Sequence, residues 1–140
     1  MKKILYIGEG VTLSHILRPL ELAEKCYDEY EIRKENVEIH FACDERYKLF
    51  ITNKNFIFHK ITTMSSESFL KRLKSGEKVF DYEYLSNCLR EDEEIVTSIM
   101  PDIVYSDYRF SMYICAHKYN IQYYSITNAY WSPYSLIERP

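Results

Sequence analysis

The sequence predicts an α/β domain with a Rossmann-like, doubly wound parallel sheet that carries helices on both faces. Apolar strand-like segments alternate with amphipathic helical segments along the chain, and this order produces parallel sheets joined by right-handed crossovers. Only three glycines are present among 140 residues, whereas turn-rich sandwiches and barrels use glycine at their corners. The length suits one hydrophobic core, so we expect residues 1–140 to form a single domain.

Each predicted element follows from a local pattern. The strands are short apolar or alternating runs, and the helices repeat apolar residues three and four positions apart. In chain order, the predicted elements are a strand at 3–8, a helix at 14–27, a strand at 36–43, a short helix at 44–50, a strand at 56–61, a helix at 65–74, a longer helix that begins after residue 81, a strand at 102–107, a helix at 109–119 and a strand at 121–126, followed by a loop over 127–140.

Capping residues define the helix ends. Ser14 is the predicted N-cap of the first helix, which places Pro19 in its first turn or at a kink. The helix at 65–74 opens with serines and stops at Gly76, a residue that suits the left-handed C-cap position. Asp81 caps the longer helix and Pro101 ends it.

Charge and composition exclude several classes of function. The 18 basic and 21 acidic residues give a net charge of −3 without a basic stripe, which disfavours a nucleic-acid binder. No apolar run approaches the ~20 residues of a membrane span, and the apolar stretch after Met1 is too short for a signal peptide and is interrupted by Glu9. The four cysteines and four histidines are scattered, which predicts single buried or half-buried thiols, no metal site and a cytoplasmic location.

Two residues with catalytic chemistry converge on one edge of the predicted sheet. The doubly wound strand order places the first strand beside the strand at 102–107, and ligands bind at the carboxyl ends of such strands. His15 follows the first strand and Asp107 ends the other. A carboxylate that holds one ring nitrogen of a histidine lets the other nitrogen act as a general base. A histidine near a helix start is also commonly a cap or a packed residue.

Several motifs carry a resemblance to a known family. The stretch Gly8-x-Gly10 followed by His15-x-x-Arg18-Pro19-Leu20 resembles the opening of the N-terminal, acceptor-binding domain of GT-B glycosyltransferases, in particular the family-1 UDP-glycosyltransferase type. Further stretches resemble later elements of that domain: His40-Phe-Ala-Cys-Asp44, Pro101-Asp102-Ile-Val-x-x-Asp107 and Asn120-Ile-Gln-Tyr-Tyr-Ser-Ile126.

The resemblance implies an inverting hexosyltransferase. His15 would be the general base for an acceptor hydroxyl and Asp107 its partner, and a small-molecule, lipid or glycan acceptor would receive a hexosyl group from a UDP-sugar or similar nucleotide sugar, without a metal or other cofactor. The residues expected to line the substrate site are Gly8, Gly10, Ser14, Asn128, Tyr130 and Trp131. The alternative for the rings of Tyr130 and Trp131 is packing against parts of the protein that are missing from the sequence. The donor-binding domain of the family is missing from the sequence, so we expect a fragment or split enzyme that is inactive without a C-terminal donor domain or a partner chain.

The sequence also departs from the family pattern. Ser14 replaces a common glycine, and the spacing from His15 to Pro19 is one residue longer than usual. The alternative is a non-catalytic Rossmann- or flavodoxin-like module that binds a small anionic ligand or a partner subunit. A dinucleotide fingerprint is disfavoured because its third glycine would fall on Leu13.

Three further charged features have bland interpretations from the sequence alone. The acidic run at 91–94 is expected to be a solvated helix face. Arg18 and Arg109 are candidates either for binding a phosphate or an acceptor carboxylate, or for surface ion pairs.

Overall fold

A computed structural model describes residues 1–128 and residue 134, and it contains a five-stranded parallel sheet with helices on both faces. The strands are β1 (Lys2–Gly8), β2 (Val37–Cys43), β3 (Ile57–Lys60), β4 (Ile103–Asp107) and β5 (Gln122–Ile126). The helices are α1 (Ser14–Arg33), α2 (Ser66–Ser75), α3 (Tyr82–Ile99) and α4 (Phe110–Lys118), with a 3-10 helix at Glu45–Phe50. The predicted fold class and the order of elements as far as β5 are confirmed, whereas most of the loop predicted over 127–140 lies outside the described residues.

The strand order is β3-β2-β1-β4-β5, with every neighbouring pair parallel. β1 therefore lies beside β4, as predicted, and Gly8 pairs in register with Asp107 at the carboxyl ends of the two strands. The backbone N–H of Glu9 donates to the carbonyl oxygen of Asp107 at 3.0 Å. The loops that follow β1 and β4 consequently leave the sheet at the same point.

Alternate residues of β1 face two separate cores, as the two-residue period of a strand requires. Leu5 and Ile7 pack against α3 and α4 on one face, while Ile4 and Tyr6 pack against α1 on the other. All four side chains are buried. A central strand that is apolar on both faces is typical of a parallel sheet covered by helices on both sides.

Part of the tyrosine content is explained by a stack that crosses three strands. Tyr6, Tyr105 and Tyr124 are in register on β1, β4 and β5, and their ring centroids are 5.0 and 5.1 Å apart in nearly parallel planes. Burial raises the pKa of the Tyr6 hydroxyl above its ordinary value. Stacked aromatic neighbours on one sheet face stabilise the pairing of adjacent strands.

The first helix differs from its prediction at both ends. It continues to Arg33, where Lys34 adopts the left-handed conformation (φ 57°) and closes it. The N-cap position is Leu13 rather than Ser14, and it provides no side-chain cap. The Ser14 hydroxyl instead lies 2.8 Å from the Thr12 hydroxyl. Pro19 is inside the helix, and because it has no N–H it removes one helical hydrogen bond to the preceding turn.

The other predicted caps are confirmed. The Ser65 hydroxyl accepts from the N–H of Ser68 at 3.1 Å, and Gly76 closes α2 with φ 74°. The Asp81 carboxylate accepts from the N–H of Tyr84 at 2.8 Å at the start of α3. These helix ends could be predicted because serine and aspartate are preferred N-caps and glycine is a preferred C-cap.

Candidate functional site

The structure brings His15 and Asp107 together at the carboxyl edge of the sheet. The His15 Nδ1 atom lies 2.8 Å from Asp107 Oδ1. The Asp107 side chain is fully buried and the His15 side chain is 12% exposed. Gly8 permits this approach, since a Cβ at that position would lie 2.3 Å from the backbone oxygen of His15. The close packing of β1 on the start of α1 therefore sets the position of the histidine.

The partner of Nδ1 determines the form of the imidazole. Nδ1 lies 2.8 Å from Asp107 Oδ1, which can only accept, and 3.1 Å from Arg18 Nη2, which can only donate. We assign the proton to Nδ1, where it makes a hydrogen bond to Asp107, because the contact with the carboxylate is the shorter of the two. Within the part of the chain that the structure describes, no hydrogen bond occupies the second ring nitrogen, Nε2. A neutral His15 in this tautomer thus has the Nε2 lone pair available to accept a proton.

Tyr108 covers one face of the His15 ring. The two rings are stacked with centroids 4.5 Å apart and planes 7° from parallel. Tyr108 has φ 62°, in the left-handed region that a non-glycine residue rarely adopts. The turn is held by the Ser106 hydroxyl, which donates to the Arg109 carbonyl at 3.2 Å. This backbone conformation occurs at the residue whose ring lies against the histidine.

Arg18 completes the group around Asp107. It lies three residues after His15 on the same face of α1, and it donates from Nε to Oδ2 at 2.9 Å and from Nη2 to Oδ1 at 2.7 Å. Its Nη1 atom also donates to Asn128 Oδ1 at 2.6 Å. Of the two expectations for Arg18, the structure therefore shows an ion pair, but one directed into the site rather than along the surface.

A cavity of about 310 Å³ opens beside the histidine. Its walls come from the start of α1, the β4–α4 turn and the segment around β5, and aromatic and aliphatic surface predominates over polar surface. The lining residues are His15, Arg18, Tyr108, Arg109, Phe110, Tyr123, Ser125, Ile126, Thr127 and Asn128. A mostly apolar cavity with a few convergent polar groups has the character of a small-molecule site.

Below the cavity, Arg109 forms a buried ion-pair network. Its side chain is 1% exposed and lies 3.0 Å from Glu9 Oε2 and 3.0 Å from Asp92 Oδ1. Glu91 lies 3.5 Å away, and the Arg109 Nη1 atom donates to the Thr62 carbonyl at 3.1 Å. The expectation that Arg109 binds a ligand or forms a surface pair is wrong, because the internal carboxylates occupy its guanidinium.

The expectation of a solvated acidic helix face is also wrong. Asp92 is fully buried between Arg109 and Ser111. Glu91 accepts from the N–H of Thr62 at 2.9 Å, and Glu93 pairs with Lys118. The acidic run therefore joins α3 to the loop after β3 and to α4.

Burial perturbs the ionisation of this network. Desolvation raises the pKa of Asp92 to about 6, and the neighbouring Arg109 opposes that rise. Desolvation acts to lower the pKa of Arg109, but Asp92 and Glu9 outweigh it and hold the pKa above its ordinary value. Burial and the carboxylate of Glu9 raise the pKa of the Tyr84 hydroxyl, which donates to Glu9.

The remaining predicted substrate residues have mixed positions. Asn128 lines the cavity. Gly10 is accounted for by internal packing, since a Cβ there would lie 2.6 Å from the Tyr47 ring and 2.7 Å from the Thr63 hydroxyl. Ser14 is exposed and contacts Thr12.

Tyr130 and Trp131 lie outside the described residues.

Within residues 1–128 and 134, no group of three or more metal-ligating side chains occurs. Cys26 is half-buried and the other three cysteines are buried, all as free thiols, which confirms the prediction of single buried or half-buried thiols. None of the helices in this range has the length and apolar character needed to cross a membrane.

Two features of the site were not predicted from the sequence. The pairing of Arg18 with Asp107 was detectable in principle, because His15 and Arg18 are three residues apart and share a helix face. The stacking of Tyr108 depends on a left-handed backbone conformation at a residue other than glycine or asparagine. No local sequence pattern predicts a left-handed backbone conformation at a tyrosine.

Comparison with known sequences finds relatives over nearly the whole chain, although no family model matches it. The chain is 35% identical over 132 residues to an inactive glycosyltransferase of PGL/p-HBAD biosynthesis from Mycobacterium bovis BCG. The alignment covers 94% of this chain and 34% of that protein. It is 36% identical over 134 residues to a PGL/p-HBAD biosynthesis rhamnosyltransferase of the same organism, covering 96% of this chain and 28% of that protein. The chain thus spans about a third of the length of these relatives.

Solved structures share the fold at lower identity. The glycotransferase of kitacinnamycin superimposes with a TM-score of 0.65 at 16% identity, over 88% of this chain and 29% of that one. The Streptomyces sp. SF2575 glycosyltransferase SsfS6, crystallised with thymidine diphosphate, gives 0.52 at 16% identity, over 89% and 38%. The C-terminal domain of the Pyrococcus furiosus PF1911 hydrogenase gives 0.53 at 14% identity, over 89% and 91%. The architecture alone therefore does not distinguish a transferase from other proteins.

Proposed function

We propose that this chain is the acceptor side of a glycosyltransferase. The chain is a partial homologue of GT-B glycosyltransferases and corresponds to a single domain of them. The observation that carries this proposal is the 2.8 Å contact between His15 Nδ1 and Asp107 Oδ1 beside an apolar cavity. The homology supports glycosyl transfer, and the contact supports a general base at the place where an acceptor would bind.

In this proposal the His15 Nε2 atom takes the proton from an acceptor hydroxyl. The acceptor oxygen then bonds to the anomeric carbon of the nucleotide sugar, while the bond to the diphosphate breaks and its electron pair leaves with the nucleoside diphosphate. Attack opposite the leaving group inverts the configuration. Asp107 fixes the histidine tautomer and stabilises the imidazolium that forms.

The proposed substrates are a nucleotide-linked hexose and a hydroxyl-bearing acceptor. We infer a hexosyl donor such as a UDP- or TDP-sugar, because SsfS6 was crystallised with thymidine diphosphate and a relative is named a rhamnosyltransferase. The acceptor is a small molecule, lipid or glycan with a hydroxyl group next to an apolar moiety, which suits the walls of the cavity. The donor is held by a second domain or a partner chain outside these 140 residues.

A second candidate is a non-catalytic module that binds a small anionic ligand or a partner subunit. It is favoured by the name of the inactive relative. The two candidates differ in what the cavity accepts. The transferase domain binds neutral hydroxyl compounds there, whereas an anion-binding module binds a nucleoside diphosphate or phosphate without them.

Titration of the ¹⁵N-labelled chain separates the candidates. We expect aromatic and lipid-like alcohols to shift the amide resonances of Tyr108, Thr127 and Asn128, and UDP or TDP alone to leave them in place. A Ser125→Trp variant fills the cavity and abolishes the shifts, while Ser75→Trp at the exposed end of α2 preserves them. Shifts caused by the nucleotides and by none of the alcohols would contradict the proposal.

A further inference from the structure

Arg18 contacts both Asp107 and the wall of the cavity. It holds both oxygens of Asp107, at 2.9 and 2.7 Å, in the bidentate geometry that a guanidinium forms with a carboxylate. It also holds Asn128, at 2.6 Å, on the segment that lines the cavity after β5. One side chain thus links α1, the end of β4 and the cavity wall.

Asp107 needs a cationic partner because its carboxylate is fully buried. A neutral His15 supplies a hydrogen bond but no positive charge. Arg109, the next cation along the chain, is occupied by Glu9 and Asp92. Arg18 is therefore the residue that balances the charge of Asp107 while His15 is neutral.

The same guanidinium lies against the histidine. Arg18 Nη2 is 3.1 Å from His15 Nδ1, and both groups donate to Asp107 Oδ1. A protonated His15 would place a second positive charge at this distance. Arg18 therefore opposes protonation of the resting histidine, whereas Asp107 favours it.

We infer that Arg18 is a positioning residue that keeps His15 neutral, protonated on Nδ1 and open at Nε2, and that couples this state to the cavity wall through Asn128. This inference rests on the proposed function, in which Nε2 must be unprotonated before an acceptor binds. It acts through Asp107 and His15 and needs no contact with a substrate.

Side chains from three neighbouring segments face His15. Asp107 comes from β4 and Arg18 from α1, and Tyr108 covers the ring from the turn after β4. Arg109 lines the same cavity but is neutralised by buried carboxylates. Removal of Arg18 thus leaves Asp107 as the nearest charge that acts on the histidine.

The test is the pH profile of the His15 ring resonances in the 140-residue chain, followed by ¹³C and ¹⁵N NMR with histidine labelling. In Arg18→Gln we expect the profile to move toward alkaline pH by about one unit or more, a tenfold change in proton affinity. Arg33→Gln removes the same charge from the exposed end of α1 and should leave the profile in place. Arg18→Lys keeps the charge without the bidentate geometry and should restore most of the profile.

An unmoved profile in a folded Arg18→Gln variant would overturn the inference. If that variant does not fold, the unaltered chain still provides a test: the Arg18 Nε–H resonance should be protected from exchange and should shift with the same pH dependence as His15. Independence of the two resonances would also overturn it. Both results would leave the acceptor titration of the chain untouched, so failure here is distinct from failure of the proposed function.

Discussion

Replacement of Arg109 by methionine tests whether the buried network beneath the site is held by charge compensation. Met fills much of the volume of the arginine stem but removes the cation that lies 3.0 Å from both Glu9 and Asp92. Those two carboxylates are 2% and 0% exposed, so water cannot replace the lost partner. Removing one member of a buried ion pair costs about 3–5 kcal/mol, a large part of the ~5–15 kcal/mol that stabilises an ordinary domain.

The stability lost in Arg109→Met should depend on pH because Asp92 titrates in the folded protein. The folded pKa of Asp92, about 6, lies above its ordinary value of 3.8, so the folded state binds this proton more readily than the unfolded state. Ionising Asp92 therefore reduces stability as pH rises from about 4 to 6, by ~3 kcal/mol for a difference of roughly two units. Arg109 lowers this pKa, and its loss increases the penalty at neutral pH more than at pH 5.

Urea unfolding monitored by circular dichroism at pH 7.5 and pH 5 measures both effects. The control is Arg33→Met on the exposed surface of α1, where we expect about 0.5 kcal/mol or less. A triple variant with Glu9→Gln, Asp92→Asn and Arg109→Met removes the three buried charges of this network together and should recover most of the loss. A loss below about 1 kcal/mol in Arg109→Met, or a loss independent of pH, would refute the reasoning.

Two further predictions concern stability. Gly8→Ala should reduce the free energy of unfolding by about 1–3 kcal/mol, because the new Cβ would lie 2.3 Å from the His15 backbone oxygen. It should also displace the His15 resonances. The control is Gly76→Ala, where a Cβ meets no atom within 4 Å; backbone strain there should cost about 1 kcal/mol and leave the His15 resonances unchanged. Burial and the neighbouring His40, whose Nδ1 is 2.8 Å from His59 Nε2, lower the pKa of His59 below 6.5, so its neutral form stabilises the fold fully above pH ~6.5 and that contribution is lost as pH falls. His59→Gln should therefore reduce the fall in unfolding free energy between pH 7 and pH 5, and an equal fall in both proteins would contradict this.

The fold was predictable because its signals are local and repeated. β1 is apolar on both faces, which marks a central parallel strand, and the caps at Ser65 and Asp81 use side chains with known preferences. The end of α1 was missed because residues 28–33 are mostly polar and exposed. A polar exposed turn can continue a helix without the apolar repeat that sequence analysis relies on.

The candidate site was predictable only in part. Topology alone brings His15 and Asp107 to one edge, since both follow adjacent parallel strands. The role of Asp92 was misjudged because a carboxylate in an acidic run is usually solvated, and its burial depends on an arginine seventeen residues away. Gly10 was assigned to ligand approach, whereas the Tyr47 ring already fills the space beside it.

The central claim is that His15 acts as the base of glycosyl transfer when this chain is joined to a donor side. The most direct measurement uses a chimera in which residues 1–140 replace the matching segment of the Mycobacterium bovis BCG rhamnosyltransferase, with kcat/KM measured by mass spectrometry over a panel of hydroxyl acceptors. We expect His15→Ala to reduce kcat/KM by a factor on the order of 10² or more, and His117→Ala, a change at an exposed histidine of α4, to leave it unchanged. A His15→Ala chimera as active as its parent would contradict the claim.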